Sequence, residues 1–321
     1  LPEFFQGKIV DQGKKPAWIP DGSGISYTKG DSLFIYDMEA EESHKVIEMD
    51  IAEYIWLNDD SVLAVEWPEN VRTRKPVSKI VNYWIIEKDS DTQLFAADTT
   101  ITERIPSYKS PFRLPDGKVA IRKDAGWDVA DFPVTDQYVV FADSGYDIEK
   151  GLSGFSYLSS SDVEGGSIHF KNINEEAYRT IQMGKLYGNP ELSPNHAMMT
   201  AFADETLYIL DSMGSLAADL SNHVEVPGGY KFRKSIGPVW NNASDGIAYY
   251  EIFENGVDYY TVSYFDLETG KKSTISQVDY YGQKNMEFSP DDKQIVSRYV
   301  HNGMSHIVLM DVPEISKGEA K

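Results

Sequence analysis

The chain has no cysteine, and that one gap removes a disulfide framework, a thiol nucleophile and every thiolate zinc site. Also missing is any apolar run near the ~18 residues that a membrane-crossing helix needs, so the chain as given reads as soluble. Cations are scarce: 30 Lys and Arg stand against 51 Asp and Glu, a net charge of −21. Nucleic acid is excluded as a partner, because binding it takes clustered Lys and Arg to displace counterions. So much acid serves solubility and resistance to self-association, which suits a monomer. The motifs that declare chemistry are absent as well: there is no Gly-x-Ser-x-Gly elbow, no His-Glu-x-x-His, no phosphate-cradling Gly-x-x-x-x-Gly-Lys and no Gly-x-Gly-x-x-Gly.

What the chain does contain is a recurrence. An aromatic or aliphatic residue leads into a Pro- or Asn-centred turn and then a short β-run at Trp18-Ile19-Pro20-Asp21-Gly22, Trp56-Leu57-Asn58-Asp59-Asp60, Arg113-Leu114-Pro115-Asp116-Gly117, Leu192-Ser193-Pro194-Asn195, Trp240-Asn241-Asn242 and Phe288-Ser289-Pro290-Asp291-Asp292. Pro presets the first turn dihedral, and Gly, Asn or Asp accepts the positive φ that follows. If the long gap between Pro115 and Pro194 counts as two units, the spacing averages about 45 residues, the length of a four-stranded propeller blade and more than a helical repeat needs.

Each turn runs into β-branched and aromatic residues, as in Ser61-Val62-Leu63-Ala64-Val65 and Gln294-Ile295-Val296-Ser297. A third run follows, as in Leu33-Phe34-Ile35-Tyr36-Asp37, and then a polar fourth such as Lys272-Ser273-Thr274-Ile275, in keeping with an edge strand. Seven four-stranded blades use the whole chain; six with a long insertion is the alternative, because the turn signature is lost between Asp124 and Ser161. The last unit has three good runs, so Gln6–Asp11 is the natural donor of the strand that closes the ring. One propeller domain is expected over 1–313, with a polar tail over 314–321. Trp18, Trp56 and Trp240 share one place in the repeat and are expected to pack between blades.

These residues resemble a family. Hydrophobic-x-Pro-Asp-Gly before a strand, then an Ile/Leu-Tyr-x-x-Asp run and the Thr-Gly-Lys turn at Thr269-Gly270-Lys271, is similar to the PD40 repeat of TolB-like β-propellers, a WD40-like repeat, over roughly 14–311. The same repeat occurs in periplasmic scaffold proteins, sugar-acid lyases and the propellers of prolyl-oligopeptidase-like peptidases. The resemblance and the start at Leu1 rather than Met imply an exported bacterial protein, periplasmic or on the cell surface, with a non-catalytic role in binding a protein or peptide. An enzyme, lyase or hydrolase, acting on an anionic saccharide or peptide is the alternative. Fold alone does not choose between them.

In a propeller the signature turns lie at one end of the sheets, and the loops between second and third strands open at the other. That second end receives the less regular segments. The expected ligand or partner residues there are Arg72, Arg74 and Lys75 in the most basic stretch, Tyr108 and Lys109, Trp127 in a loop, Tyr187, Arg233 and Lys234, Tyr281 and Lys284, and His301. A locally positive, Tyr-lined mouth in an acidic body suits an anionic partner, a carboxylate-bearing peptide or small ligand. Asp50, Glu53, Glu103 and Asp279 occupy comparable loops and dilute the field. No metal or other cofactor is expected: Asp89-Ser90-Asp91, Asp143–Asp147 and Asp291-Asp292 lack the alternating oxygen spacing of a calcium loop and read as turns.

Overall fold

The computed structural model describes residues 5–66, 79–88, 95–105, 112–113, 119–123, 126–130, 139–141, 147–149, 156–160, 167–172, 179–182, 191–195, 197–203, 206–211, 215–225, 228–229, 231–255, 258–278 and 281–314. Among the described residues the strands all pair antiparallel and fall into four-stranded sheets. After β1 (Gly7–Gln12) come β2 (Lys14–Trp18), β3 (Gly24–Thr28), β4 (Ser32–Asp37) and β5 (Glu42–Glu48) as one sheet. The next holds β6 (Ile51–Asn58), β7 (Ser61–Glu66), β8 (Lys79–Lys88) and β9 (Phe95–Ile105), and a third holds β10 (Phe112–Arg113), β11 (Val119–Lys123), β12 (Gly126–Ala130) and β13 (Val139–Phe141).

Through the stretch that has lost the turn signature run β14 (Asp147–Glu149), β15 (Ser156–Ser160), β16 (Ser167–Asn172) and β17 (Arg179–Gln182), again paired in chain order. The following sheet is β18 (Glu191–Leu192), β19 (Met198–Ala203), β20 (Thr206–Asp211) and β21 (Leu216–Asp219). Beyond a 3-10 turn over Leu220–His223 comes the sheet of β22 (Lys231–Trp240), β23 (Gly246–Glu254), β24 (Asp258–Asp266) and β25 (Lys271–Val278). The last three strands, β26 (Tyr281–Phe288), β27 (Gln294–His301) and β28 (Met304–Asp311), take β1 as their fourth, with Ile9 opposite Val308 and Gln12 opposite His306. The segment expected from the N-terminus therefore does complete the final sheet.

The chain separates into two compact units. One is Gly13–Gly145, with three sheets; the other joins Leu1–Gln12 to Tyr146–Lys321 and holds four.

The signature turns have one repeated geometry. Ile19, Ser193, Asn241 and Ser289 each donate their backbone N–H to the carbonyl five residues on, at 2.8–3.0 Å. In three of the four the residue three on donates back to the first carbonyl, and it sits at positive φ: Gly22 at 79°, Ser244 at 64° and Asp292 at 60°. Gly takes that conformation freely, whereas Ser and Asp hold it at a cost that local hydrogen bonds offset. The turn after β6 is shorter, with Asn58 opposite Ser61 and only Asp59 and Asp60 between. Asp37, Asp211 and Asp266 end the third strands and accept backbone N–H groups of the turns that follow, at 2.7–2.8 Å. This is the physical content of the Asp that closes the third run, preceded by Tyr at the third position back in Tyr208-Ile209-Leu210-Asp211.

Three second strands whose burial is described carry no polar–apolar alternation. β3 and β7 are buried almost throughout, as is β23, because each is an inner strand covered on both faces. β5 is exposed along most of its length, as suits an edge. Trp18, Trp56 and Trp240 are all buried. In the first unit Trp56 packs with Ile19, Leu33, Ile35 and Ile86 between β2–β5 and β6–β9. Its indole N–H donates to Ser26 Oγ at 2.8 Å, and the Tyr54 hydroxyl donates to the Lys15 carbonyl at 2.7 Å. In the second unit Trp240 packs with Leu207, Ile209, Ile247 and Phe265. A second seam joins Tyr250, Ile252, Tyr260 and Tyr264 to Phe288, Tyr299 and Val308. Burying each of these large side chains is worth roughly 2–3 kcal/mol.

Candidate binding face

At the end opposite the signature turns, the best-defined feature of the second unit is the hairpin between β27 and β28. Asn302 and Gly303 both have positive φ, 50° and 75°, which makes a two-residue turn with the twist that hairpins favour. That turn sets the register: His301 faces Met304 and, two residues down, Tyr299 faces His306, which in turn faces Gln12 of β1.

Three side chains meet around Tyr299, whose own ring is buried. The His301 ring stacks on it at 6.0 Å and 11°, Phe5 at 5.3 Å and 29°, and His306 lies at 6.4 Å. Asn302 Nδ2 lies 3.0 Å from His301 Nε2, and the Tyr299 hydroxyl lies 3.5 Å from His301 Nδ1. Gln12 Nε2 reaches Met304 Sδ at 3.9 Å. Arg298 donates through Nε and a terminal nitrogen to Ser305 Oγ at 3.0 and 2.8 Å. Met304, half exposed, and the exposed Asn302 crown the hairpin.

The same end of β22–β25 presents exposed Lys231 opposite exposed Glu254, and half-buried Lys234 opposite Ile252. In the first unit Lys15, held at φ 53°, places its ammonium 2.6 Å from Glu53 Oε1. Glu53 thus does more than dilute a positive field; it neutralises Lys15 directly. Lys29 lies over the Phe34 ring at 5.5 Å.

Of the residues expected at this end, His301 is at the hairpin and Lys234 is in β22. Arg233, Tyr281 and Lys284 lie on β22 and β26, within strands rather than before them, and their backbone course is what the structure gives. Trp127 was expected in a loop but belongs to β12, opposite Arg122 and Phe141, because Gly126 opens a strand instead of a turn. Arg72, Arg74, Lys75, Tyr108, Lys109 and Tyr187 lie outside the described residues. The pairing of Tyr299 with His306 is not among the expectations above, although the Asn302-Gly303 dipeptide fixes that register and is a readable signal.

Among the described residues, the strongly displaced titratable groups sit in the seams between sheets. Burial pushes the Tyr250 hydroxyl up to about 12 against the partial relief of its 2.9 Å bond to Ser297 Oγ. Burial likewise raises Tyr249, with the Glu251 charge adding to it, and Tyr264, with Asp245, Asp266 and Asp292 adding to it. Asp291, in a signature turn, is lowered mainly by the Ser289 hydroxyl, and Glu48 by Lys45. Among the described residues no group of three or more His, Asp or Glu is placed to hold a metal ion, and no helix is long and apolar enough to cross a membrane.

No protein-family model matches the chain, and no curated protein matches it in sequence. Solved structures do. TolB from Acinetobacter baumannii is similar at 13% identity and TM-score 0.51, over 90% of this chain and 79% of that one. The Cps50 (Swd1) β-propeller domain of Myceliophteria thermophila is similar at 9% identity and TM-score 0.56, over 94% and 97%. A chain of the mitotic checkpoint complex is similar at 10% identity and TM-score 0.54, over 97% and 91%. At these identities the likeness establishes the fold alone, a β-propeller.

Proposed function

We propose that this chain is an exported, non-catalytic β-propeller of seven four-stranded blades, one domain with its ring closed by β1, which acts as a monomer and holds a protein or peptide partner at the end bearing the second-to-third-strand loops. The single observation that carries the reading is the β27–β28 hairpin. It combines a fixed register, an aromatic base in Tyr299, two imidazoles and a half-exposed Met304. Rigid aromatic and methionine groups rimmed by polar ones favour contact with another polypeptide. The likeness to a chain of the mitotic checkpoint complex, itself part of an assembly, supports the same reading.

The partner end then draws on His301 and Lys234, together with Arg72, Arg74, Lys75, Tyr108, Lys109, Trp127, Tyr187, Arg233, Tyr281 and Lys284. Its cations against an acidic body favour a partner with an exposed carboxylate or acidic segment. Likeness to TolB supports export to the bacterial periplasm or cell surface.

The test is a photo-crosslinking amino acid at Asn302, compared with the same group at Lys293 in the signature turn of the same sheet, in cells that make the protein. A discrete adduct from position 302 alone is expected. Equal labelling from both positions, or none from either, overturns the proposal, and so does recovery of the protein solely from the cytoplasmic fraction.

A further inference from the structure

The face of β22–β25 turned toward β18–β21 carries a polar patch inside an otherwise apolar seam. Its apolar part is Ile247, Tyr249 and Phe265 against Leu207, Ile209 and Leu220. Two residues along, the alternation of strand faces brings Glu251 onto the same side, opposite Thr261, and Thr261 stands opposite Gln277. Ser263, opposite Tyr249, shares that side. Glu251 and Lys272 are almost wholly buried, with side chains 1% and 5% exposed. Lys272 Nζ donates to both carboxylate oxygens at 3.1 Å, and Ser263 Oγ donates to Oε2 at 2.6 Å. The charges are therefore satisfied.

Three neighbours on that face are not. Tyr249 Oη, Thr261 Oγ1 and Gln277 Oε1 are buried and, among the described residues, have no hydrogen-bond partner. Thr261 and Gln277 are directly paired across adjacent strands, and the Tyr249 hydroxyl lies within the electrostatic reach of Glu251. Buried polar atoms in native proteins find partners, and where the protein supplies none an internal water does.

The chemistry of the three atoms selects the occupant. The Gln277 oxygen only accepts, while the two hydroxyls both donate and accept. If the Gln277 amide is turned over, its nitrogen only donates, and the requirement for a two-way partner stays. An anion is disfavoured by the Gln277 oxygen and the Glu251 carboxylate. A metal cation is disfavoured by the Lys272 ammonium in the same patch. We propose that this seam is a built site for tightly held internal water, bridging Thr261 and Gln277 with the Tyr249 hydroxyl as a third ligand, and that the hydrated patch sets how β18–β21 and β22–β25 seat on each other.

Magnetic relaxation dispersion of water protons and deuterons counts internal waters held longer than about the protein's tumbling time. The intact chain is expected to show long-lived water that disappears in Thr261→Val with Gln277→Leu, while Thr261→Ser, which keeps the hydroxyl, retains it. An unchanged dispersion amplitude in the double variant overturns the proposal. Should the double variant not fold, a high-resolution crystal structure of the unaltered chain decides: density within hydrogen-bond distance of both Thr261 Oγ1 and Gln277 is required, and dry contact there overturns the site. A melting temperature that rises specifically with Na+ or K+ at constant ionic strength in the unaltered chain, and no longer does so in Thr261→Val, makes the occupant a cation and equally overturns it.

Discussion

Asp292 gives both carboxylate oxygens to the signature turn of the preceding sheet: Oδ1 accepts from the Asn242 backbone N–H at 2.8 Å and Oδ2 from that of Ala243 at 2.9 Å. The Asn242 side-chain amide also donates to Oδ1, at 2.7 Å, and to the Ser289 carbonyl at 2.9 Å. One turn further back, Ser244 Oγ accepts from the Asn195 N–H at 2.9 Å. Consecutive turns are thus strapped together, each by the residue that its own positive φ turns toward its neighbour.

Removing that strap has a graded cost. Asp292→Ala deletes a charged acceptor serving two backbone donors and keeps a β-carbon in the left-handed region, so a loss of about 2–3 kcal/mol is expected from urea unfolding. Asp292→Asn retains one acceptor and a residue that tolerates this φ, and is expected to lose about half as much. Equal losses for the two would place the cost elsewhere than in the strap.

The buried pair Glu251–Lys272 predicts a non-additive series. Lys272→Met leaves a carboxylate uncompensated in the seam and is expected to cost about 3–5 kcal/mol. Glu251→Leu combined with Lys272→Met removes both charges and is expected to recover most of that loss. A double-mutant cycle in urea measures the coupling, and additivity of the two single changes would show the pair to be decoupled.

Alkaline pH acts through Tyr250. Its folded-state value is near 12 against 10 when unfolded, so the neutral phenol is the form the fold prefers. Stability from this group is whole below pH 10, erodes between 10 and 12 as the unfolded state sheds protons first, and is lost beyond. The stake is about 2–3 kcal/mol. Tyr250→Phe should flatten the pH dependence of stability in that window, although Tyr249 and Tyr264, raised by the same burial, leave a residual slope. Chemical denaturation at pH 9, 10 and 11 reads the difference.

How much of this was legible in advance follows the range of the interactions. The signature turns were readable because everything they need, a preset Pro, a residue tolerant of positive φ and an aromatic to bury, lies within about six residues. The polar fourth strands, and an N-terminal segment at Gln6–Asp11 as fourth strand of the last sheet, follow from counting runs. Glu251 and Lys272 were not readable: they meet across three strands only because a bulge between Val262 and Ser263 shifts β25 against β24. Trp127 reads as a loop residue because Gly126 lies between Asp124 and Asp128, a turn-like composition, while its cross-strand partners Arg122 and Phe141 put it in a strand. His301 stands out as a loop histidine, whereas nothing local marks Tyr299 beneath it: the stacking of the two comes only from the hairpin register.

The partner end yields the last prediction. His301 and Lys234 occupy the loop-bearing end of adjacent sheets in one unit, and Lys293, four-fifths exposed, occupies a turn at the other end. Once a partner peptide has been captured through position 302, Lys234→Ala with His301→Ala is expected to weaken its binding about tenfold, the loss of one charged contact and one stacked ring. Lys293→Ala removes a more exposed cation at the opposite end of the sheets and is expected to leave affinity unchanged. Isothermal titration at two salt concentrations separates the contributions: the Lys234 share shrinks as salt rises and the His301 share does not. Equal effects from Lys293→Ala would mean that net charge, rather than this end of the sheets, governs binding.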